Sequence, residues 1–125
     1  MQYIGKLNKK LYEQIINNKI VTDDIVFTDK QIEHVEEDHR ERKGLYEKYK
    51  DKLLDIINEP DYIFADNKPD TLCIAKKLDE RIWLVLKLNT NPYNDYKNSI
   101  ISMQRLGDTK LKQYERTKKI LYKKE

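Results

Sequence analysis

Residues 61–106 read DYIFADNKPDTLCIAKKLDERIWLVLKLNTNPYNDYKNSIISMQRL. The hydrophobic period in this stretch is two. Arg81 to Leu88 shows it best: Ile82, Leu84, Leu86 and Leu88 fall on one side of an extended chain, and Arg81, Trp83, Val85 and Lys87 on the other. Tyr62 to Ala65, Leu72 to Lys77 and Ser99 to Leu106 have the same character. They are separated by Asp66–Asp70, by Asp79-Glu80 and by the Asn-rich run 89–98. Short connections between such strands imply antiparallel pairing. The leucine side should meet whatever covers the sheet.

Upstream the period lengthens. Ile4, Leu7, Leu11, Ile15 and Ile16 recur at helical spacing and predict a helix over 5–17, ending at Asn17-Asn18. Val21 to Phe27 is short and β-branched. Thr28 then stands three residues before Gln31, the spacing of a capping box, so a second helix should start at Asp29. Ile32, Val35 and His39 share one edge of it, and His34 points away. Arg40–Gly44 interrupts the pattern. Leu45, Tyr49, Leu53, Ile56 and Ile57 predict a third helix that stops before Pro60. From Asp108 a helical segment carries a basic tail, with Ile120-Leu121-Tyr122 docking back. The expectation is one α+β domain over 1–125, with N-terminal helices packed on an antiparallel sheet of about four strands and a basic C-terminal helical segment.

Composition sets outer limits. A chain of 125 residues suits one core, and its 38% apolar and 38% charged residues are clustered with period instead of diluted. No run approaches the ~20 apolar residues of a membrane span, and Met1–Lys10 lacks an apolar signal core. One cysteine, Cys73, rules out an internal disulfide. A soluble, cytoplasmic protein with no membrane partner is expected. Gly5, Gly44 and Gly107 stand too far apart for a phosphate-cradling loop, so dinucleotide and P-loop cofactors are excluded and no cofactor is expected.

Net charge is +3, unevenly spread. Residues 97–125 hold nine basic and three acidic side chains, a net +6, which leaves −3 on residues 1–96. Such a tail is either a solvated surface or the footprint of a polyanion. Arg105 and Arg116 are natural phosphate clamps because a guanidinium fork fits phosphate oxygens, and Lys112, Lys118 and Lys119 extend the same basic surface.

Imidazole chemistry has two candidates, His34 and His39. A metal reading would pair His34 with Asp38, or His39 with Glu36 or Asp38. The spacing supplies no third ligand, so no metal is expected. Cleavage of RNA through its own 2′-OH needs a base, an acid and cations around a charged transition state. His34 and His39 could supply the proton transfers. Lys87 lies opposite the leucines, and Ser102, expected on one face with Ile100 and Gln104, could be brought beside it by antiparallel pairing. The competing reading makes His39 a packed histidine and Lys87 an ordinary strand residue.

Four segments carry a resemblance: Val26-Phe27-Thr28 through His34-Val35 to His39; Asn58-Glu59-Pro60-Asp61-Tyr62-Ile63; Asn98-Ser99-Ile100-Ile101-Ser102; and Arg116-Thr117-Lys118-Lys119-Ile120-Leu121-Tyr122. Over about 25–123 the chain resembles the phage-associated branch of the nuclease superfamily named after barnase, EndoU, the colicins and RelE. The resemblance implies helices on an antiparallel sheet and metal-independent cleavage of RNA. The family's helix histidines match His34 and His39, its late-strand hydroxyl, often threonine, matches Ser102, and its following basic residue matches Arg116. Where the family commonly has proline after the second histidine, this chain has Arg40. The implied partners are RNA, with tRNA among the candidates, and an immunity or antitoxin protein. Oligomeric state is not legible. The alternative is a phage accessory protein that binds nucleic acid or a host protein through the basic tail without turnover.

Overall fold

A computed structural model describes residues 1–37 and 44–125. In chain order the elements are β1 (Gln2–Lys6), α1 (Lys9–Ile16), β2 (Asp24–Phe27), α2 (Asp29–Glu37), α3 (Leu45–Tyr49), a 3-10 turn (Lys50–Lys52), α4 (Leu53–Asn58), β3 (Tyr62–Ala65), β4 (Thr71–Lys77), β5 (Arg81–Lys87), β6 (Asn98–Arg105), α5 (Asp108–Thr117) and β7 (Ile120–Lys123). His39 and the Arg40 departure lie outside the described residues.

The α+β class holds, but the sheet is larger than expected. Seven strands run in the order β1-β2-β6-β5-β4-β3-β7. The meander β3-β4-β5-β6 is the antiparallel core that periodicity predicts. Three strands were not expected in it. Residues 2–6 form an edge strand paired with β2, so the helix predicted over 5–17 is confined to Lys9–Ile16. Its start is fixed by Asn8, whose side chain accepts from the Leu11 N–H, and its end by Asn17 in the left-handed region, φ 54°. β2 joins β6 in parallel, a pairing that short-loop reasoning misses because α2–α4 and β3–β5 intervene. The basic tail is a helix only to Thr117. Ile120–Lys123 then returns as β7 against β3.

Helices cover one face. Ile82, Leu84, Leu86 and Leu88 are buried there with Val35 of α2, Leu45 of α3 and Leu53, Ile56 and Ile57 of α4. Each such burial contributes about 1.5–3 kcal/mol. The predicted third helix is two short helices around the 3-10 turn, with the same apolar set buried. Tyr12 of α1 is fully buried and donates to the Ile57 carbonyl at 2.5 Å. Asn58 accepts from the Asn8 N–H (2.8 Å) and donates to the Lys6 carbonyl (2.9 Å), tying α4 to the β1–α1 junction.

The opposite face is not simply solvent-facing. At one end α5 lies over it, burying Phe64, Cys73, Ala75 and Trp83 with Leu106 and Leu111. Tyr62 stacks on Phe64, and Phe64–Trp83 and Trp83–Tyr114 continue the row at a tilt, with centroids 5.5, 5.6 and 4.7 Å apart. An Arg81–Asp108 ion pair (2.7 Å) anchors the start of α5.

Candidate nucleic-acid site on the second sheet face

β6 has to serve two faces, and a bulge sets which residues do so. Its register against β5 shifts between Val85 and Leu86: Leu86 stands opposite Ile100, Val85 opposite Ser102, and Leu84 opposite Met103. Ile101 is therefore the extra residue. Ile100 and Met103 both enter the helix-side core, and Ser102 is turned to the second face with Val85. The expected face shared by Ser102 and Ile100 is thus corrected, because one inserted residue inverts the alternation.

The register defines two cross-strand rows on the second face. Thr71, Lys87 and Ser99 form one; Cys73, Val85 and Ser102 form the next. Strands lie about 4.8 Å apart, so each row spans roughly 10 Å. Lys87 and Ser102 come together as expected, on one face and in adjacent rows. Lys118, at the end of α5, borders the second row close enough to Cys73 to oppose the rise of its thiol pKa. Burial pushes that thiol up to about 12, so Cys73 is a core residue and not a nucleophile.

At the other end of the floor, Lys87, Ser99 and Ile101 join Thr28 and Gln31 of α2 and the Asn89–Lys97 loop around a cavity of about 450 Å³. Thr28 sits there because β2 ends at Phe27 and α2 begins at Asp29, with the Thr28 Oγ1 accepting from the Gln31 N–H at 3.3 Å as the capping-box spacing predicts. α2 then packs along the remainder of β6. His34 is exposed on α2, one turn beyond Gln31 and outside the cavity lining.

The cations divide into engaged and available ones. Lys97 pairs with Asp24 (3.1 Å), and Lys6, with Lys97 adding to it, holds the Asp24 carboxyl down at about 2. Arg105 is bound to Glu80 (Nε to Oε1, 2.6 Å) at the β4–β5 turn and is not among the residues that line the cavity. Lys87 makes no ion pair among the described residues. Lys112 and Arg116 are exposed along α5, Lys119 is exposed beyond it, and Lys118 lies over the Tyr114 ring (5.2 Å). Arg116 and Lys112 border a shallow depression on α5, apart from the Lys87 cavity.

Residues 2–113 match the family described as phage-Barnase-EndoU-ColicinE5/D-RelE like nuclease 3. The chain belongs to this family. No curated protein and no solved structure matches it. The match starts at β1 and stops within α5, so it takes in the N-terminal strand and helix that the resemblance omits. It leaves out Arg116–Tyr122, the segment that the resemblance places among its motifs. For this nuclease-family chain the second face collects Lys87, Ser99, Ser102 and the basic end of α5. Among the described residues no group of three or more His, Cys, Asp and Glu converges as metal ligands, and no helix is long and apolar enough to cross a membrane. Sequence reasoning missed Thr28, Gln31, Thr71 and Ser99 as floor and wall residues. The Asn-rich run 89–98 carried a signal, since so many turn-forming amides between two strands imply a built loop instead of a slack one.

Proposed function

We propose that the chain is a metal-independent RNA endonuclease whose substrate strand crosses the second sheet face. The observation that carries this reading is Lys87: an ammonium unpaired among the described residues, set beside the hydroxyls of Ser99 and Ser102 on the uncovered part of the sheet, in a chain of a nuclease family. A base removes the proton of a ribose 2′-OH, and that oxygen attacks the adjacent phosphorus. The bond to the 5′-oxygen breaks as an acid protonates it, leaving a 2′,3′-cyclic phosphate and a 5′-OH. Lys87 stabilises the extra negative charge on the phosphorus oxygens and Ser102 positions one of them by hydrogen bonding. His34 and His39 are the proton carriers in this reading, since imidazole is the side chain most often used for general acid–base catalysis. Arg116, Lys112, Lys118 and Lys119 hold flanking phosphates. Cytoplasmic RNA, tRNA included, is the proposed substrate class, and an immunity or antitoxin protein the proposed protein partner.

The test is incubation of total RNA and of tRNA with the protein in EDTA, followed by mapping of the cut ends. Cyclic phosphate ends are expected, and His34→Gln and His39→Gln should each be assayed as folded proteins. A fall of about 10² or more in at least one fits lost acid–base catalysis. Full activity in both would overturn the mechanism. Binding without cleavage would favour the accessory-protein reading, which the exposed basic surface of α5 serves equally well.

A further inference from the structure

The cavity beside Lys87 is the wrong shape and charge for a phosphate alone. At about 450 Å³ it falls within the ~300–1,000 Å³ range of small-molecule sites. One wall carries the Asp70 carboxylate, whose Oδ2 accepts from the Thr90 hydroxyl at 2.7 Å. Lys97 on the rim is already paired with Asp24. Besides Asp70, what remains is one lining cation with no ion pair among the described residues, Lys87, and a set of uncharged amides, hydroxyls and a ring.

The loop that supplies that interior is held in place by its own side chains. The Asn89 Nδ2 donates to Asn94 Oδ1 (2.7 Å) and to the Tyr96 carbonyl (2.8 Å). Asn94 Oδ1 also accepts from the Tyr96 N–H (3.1 Å). Buried Asn98 accepts from the Asn89 N–H (2.9 Å) and donates to the Thr22 carbonyl (2.7 Å). These bonds use both Nδ2 hydrogens of Asn89 and engage both ends of the Asn98 amide, and they leave Asn94 Nδ2 and the Gln31 side-chain amide unoccupied among the described residues. Both line the cavity, as does Tyr96, which is 73% exposed although its backbone is tied by two of these hydrogen bonds. A large aromatic ring held out in water beside spare amide donors and acceptors is the composition of a site for a flat polar heterocycle.

We infer that this cavity binds one unpaired nucleobase of the RNA strand, stacked on Tyr96 and hydrogen-bonded along its edge by Gln31 and Asn94, while Lys87 holds the adjoining phosphate. The inference rests on the RNA reading above and adds the element that selects single-stranded substrate. A paired base has its edge occupied and cannot enter. Asp70 keeps phosphate out of the interior and accepts an N–H from the pairing edge, a donor that all four RNA bases carry.

The experiment uses fluorescein-labelled 2′-O-methyl RNA hexamers, which lack the nucleophile and so report binding alone, and a matching oligomer abasic at its central positions. Anisotropy should show the abasic oligomer binding about fivefold to a hundredfold more weakly at equal salt, the scale of one lost stacking contact. Tyr96→Leu should lose the same factor on the intact oligomers and nothing on the abasic one. Tyr93→Leu, altering a 94% exposed ring outside the cavity, should lose nothing. Equal binding of abasic and intact oligomers, or an unaffected Tyr96→Leu, would overturn the base site while leaving the nuclease reading intact. A wild-type protein that neither binds nor cleaves any RNA would overturn both.

Discussion

Replacing Lys87 by methionine separates the catalytic reading of the second face from a merely structural one. The side chain is exposed at the last paired position of β5, opposite Thr71 on one side and Ser99 on the other. No carboxylate among the described residues is paired with it, so its removal leaves no anion without a partner. Methionine keeps the stem length and fits a strand, and the cost to folding should stay within about 0.5 kcal/mol. That corresponds to a melting shift of at most a few degrees. Its cost to cleavage should be far greater, because a donor aimed at charge that develops in the transition state is worth about 10²–10³ in rate, or ~2.7–4 kcal/mol. The assay is single-turnover cleavage of a labelled RNA by wild type and Lys87→Met, with melting followed by Trp83 fluorescence. Arg105→Met is the control with the opposite signature: it breaks the ion pair with Glu80 and should lower the melting temperature while changing cleavage little. A Lys87→Met protein that cleaves within threefold of wild type would refute the placement of the phosphate on this face.

The remaining expectations concern the tail, acid stability and the edge strand. Exchanging Lys118 and Lys119 together for glutamate removes two phosphate contacts. The slope of log affinity against log salt should fall by about 1.4 for single-stranded RNA, and an unchanged slope in a filter-binding titration would take the end of α5 out of the interface. Tyr49 and Lys48 hold Glu80 and Asp79 down at about 2, with Arg105 adding to the effect on Glu80. Their folded pKa values lie below the unfolded ones, so this stabilisation is present above about pH 4.5 and is lost as pH falls toward 2. Urea midpoints measured across that window should drop less in Tyr49→Phe than in wild type. Gly5 has φ +148°, and an added Cβ would stand 2.8 Å from Leu54 Cδ2. Gly5→Ala should cost about 1–3 kcal/mol, mostly from backbone strain, and a neutral result in denaturant would show that β1 can re-register.

What was legible in the sequence was whatever depended on neighbours along the chain. Alternation at Ile82–Leu88 located β5 and its buried face, the Thr28/Gln31 spacing located the start of α2, and Pro60 bounded α4. What was missed depended on partners distant in sequence. Gln2–Lys6 has helical spacing at Ile4 and Leu7 and becomes a strand because β2 offers it an edge. Ile120–Lys123 becomes a strand because β3 does. Local pattern cannot weigh such offers, since propensity for strand is mostly a matter of what lies alongside. The candidate site shows the same division. Counting from the leucines puts Lys87 on the face where it is found. Ser102 reached that face against the count from Ile100, because the bulge at Ile101 shifted the second half of β6 by one residue.

That bulge links the fold to the site. Had β6 paired with β5 without interruption, alternation would place Ile100 and Ser102 on the same face. The serine would then lie under the helices as an unsatisfied hydroxyl, and Met103 would be turned out onto the second face. Inserting Ile101 keeps both Ile100 and Met103 in the core and puts Ser99, in the row of Lys87, and Ser102, in the next row, on the same second face. It also makes Ile101 an apolar part of the cavity lining below Thr28 and Gln31. Deleting Ile101 should therefore reverse the facing of everything on one side of the bulge. The expected outcome is a destabilised protein that loses RNA binding even where it still folds, measured as a lower urea midpoint together with loss of hexamer anisotropy. A deletion variant that folds and binds like wild type would mean that the bulge does not set the facing of Ser99 and Ser102.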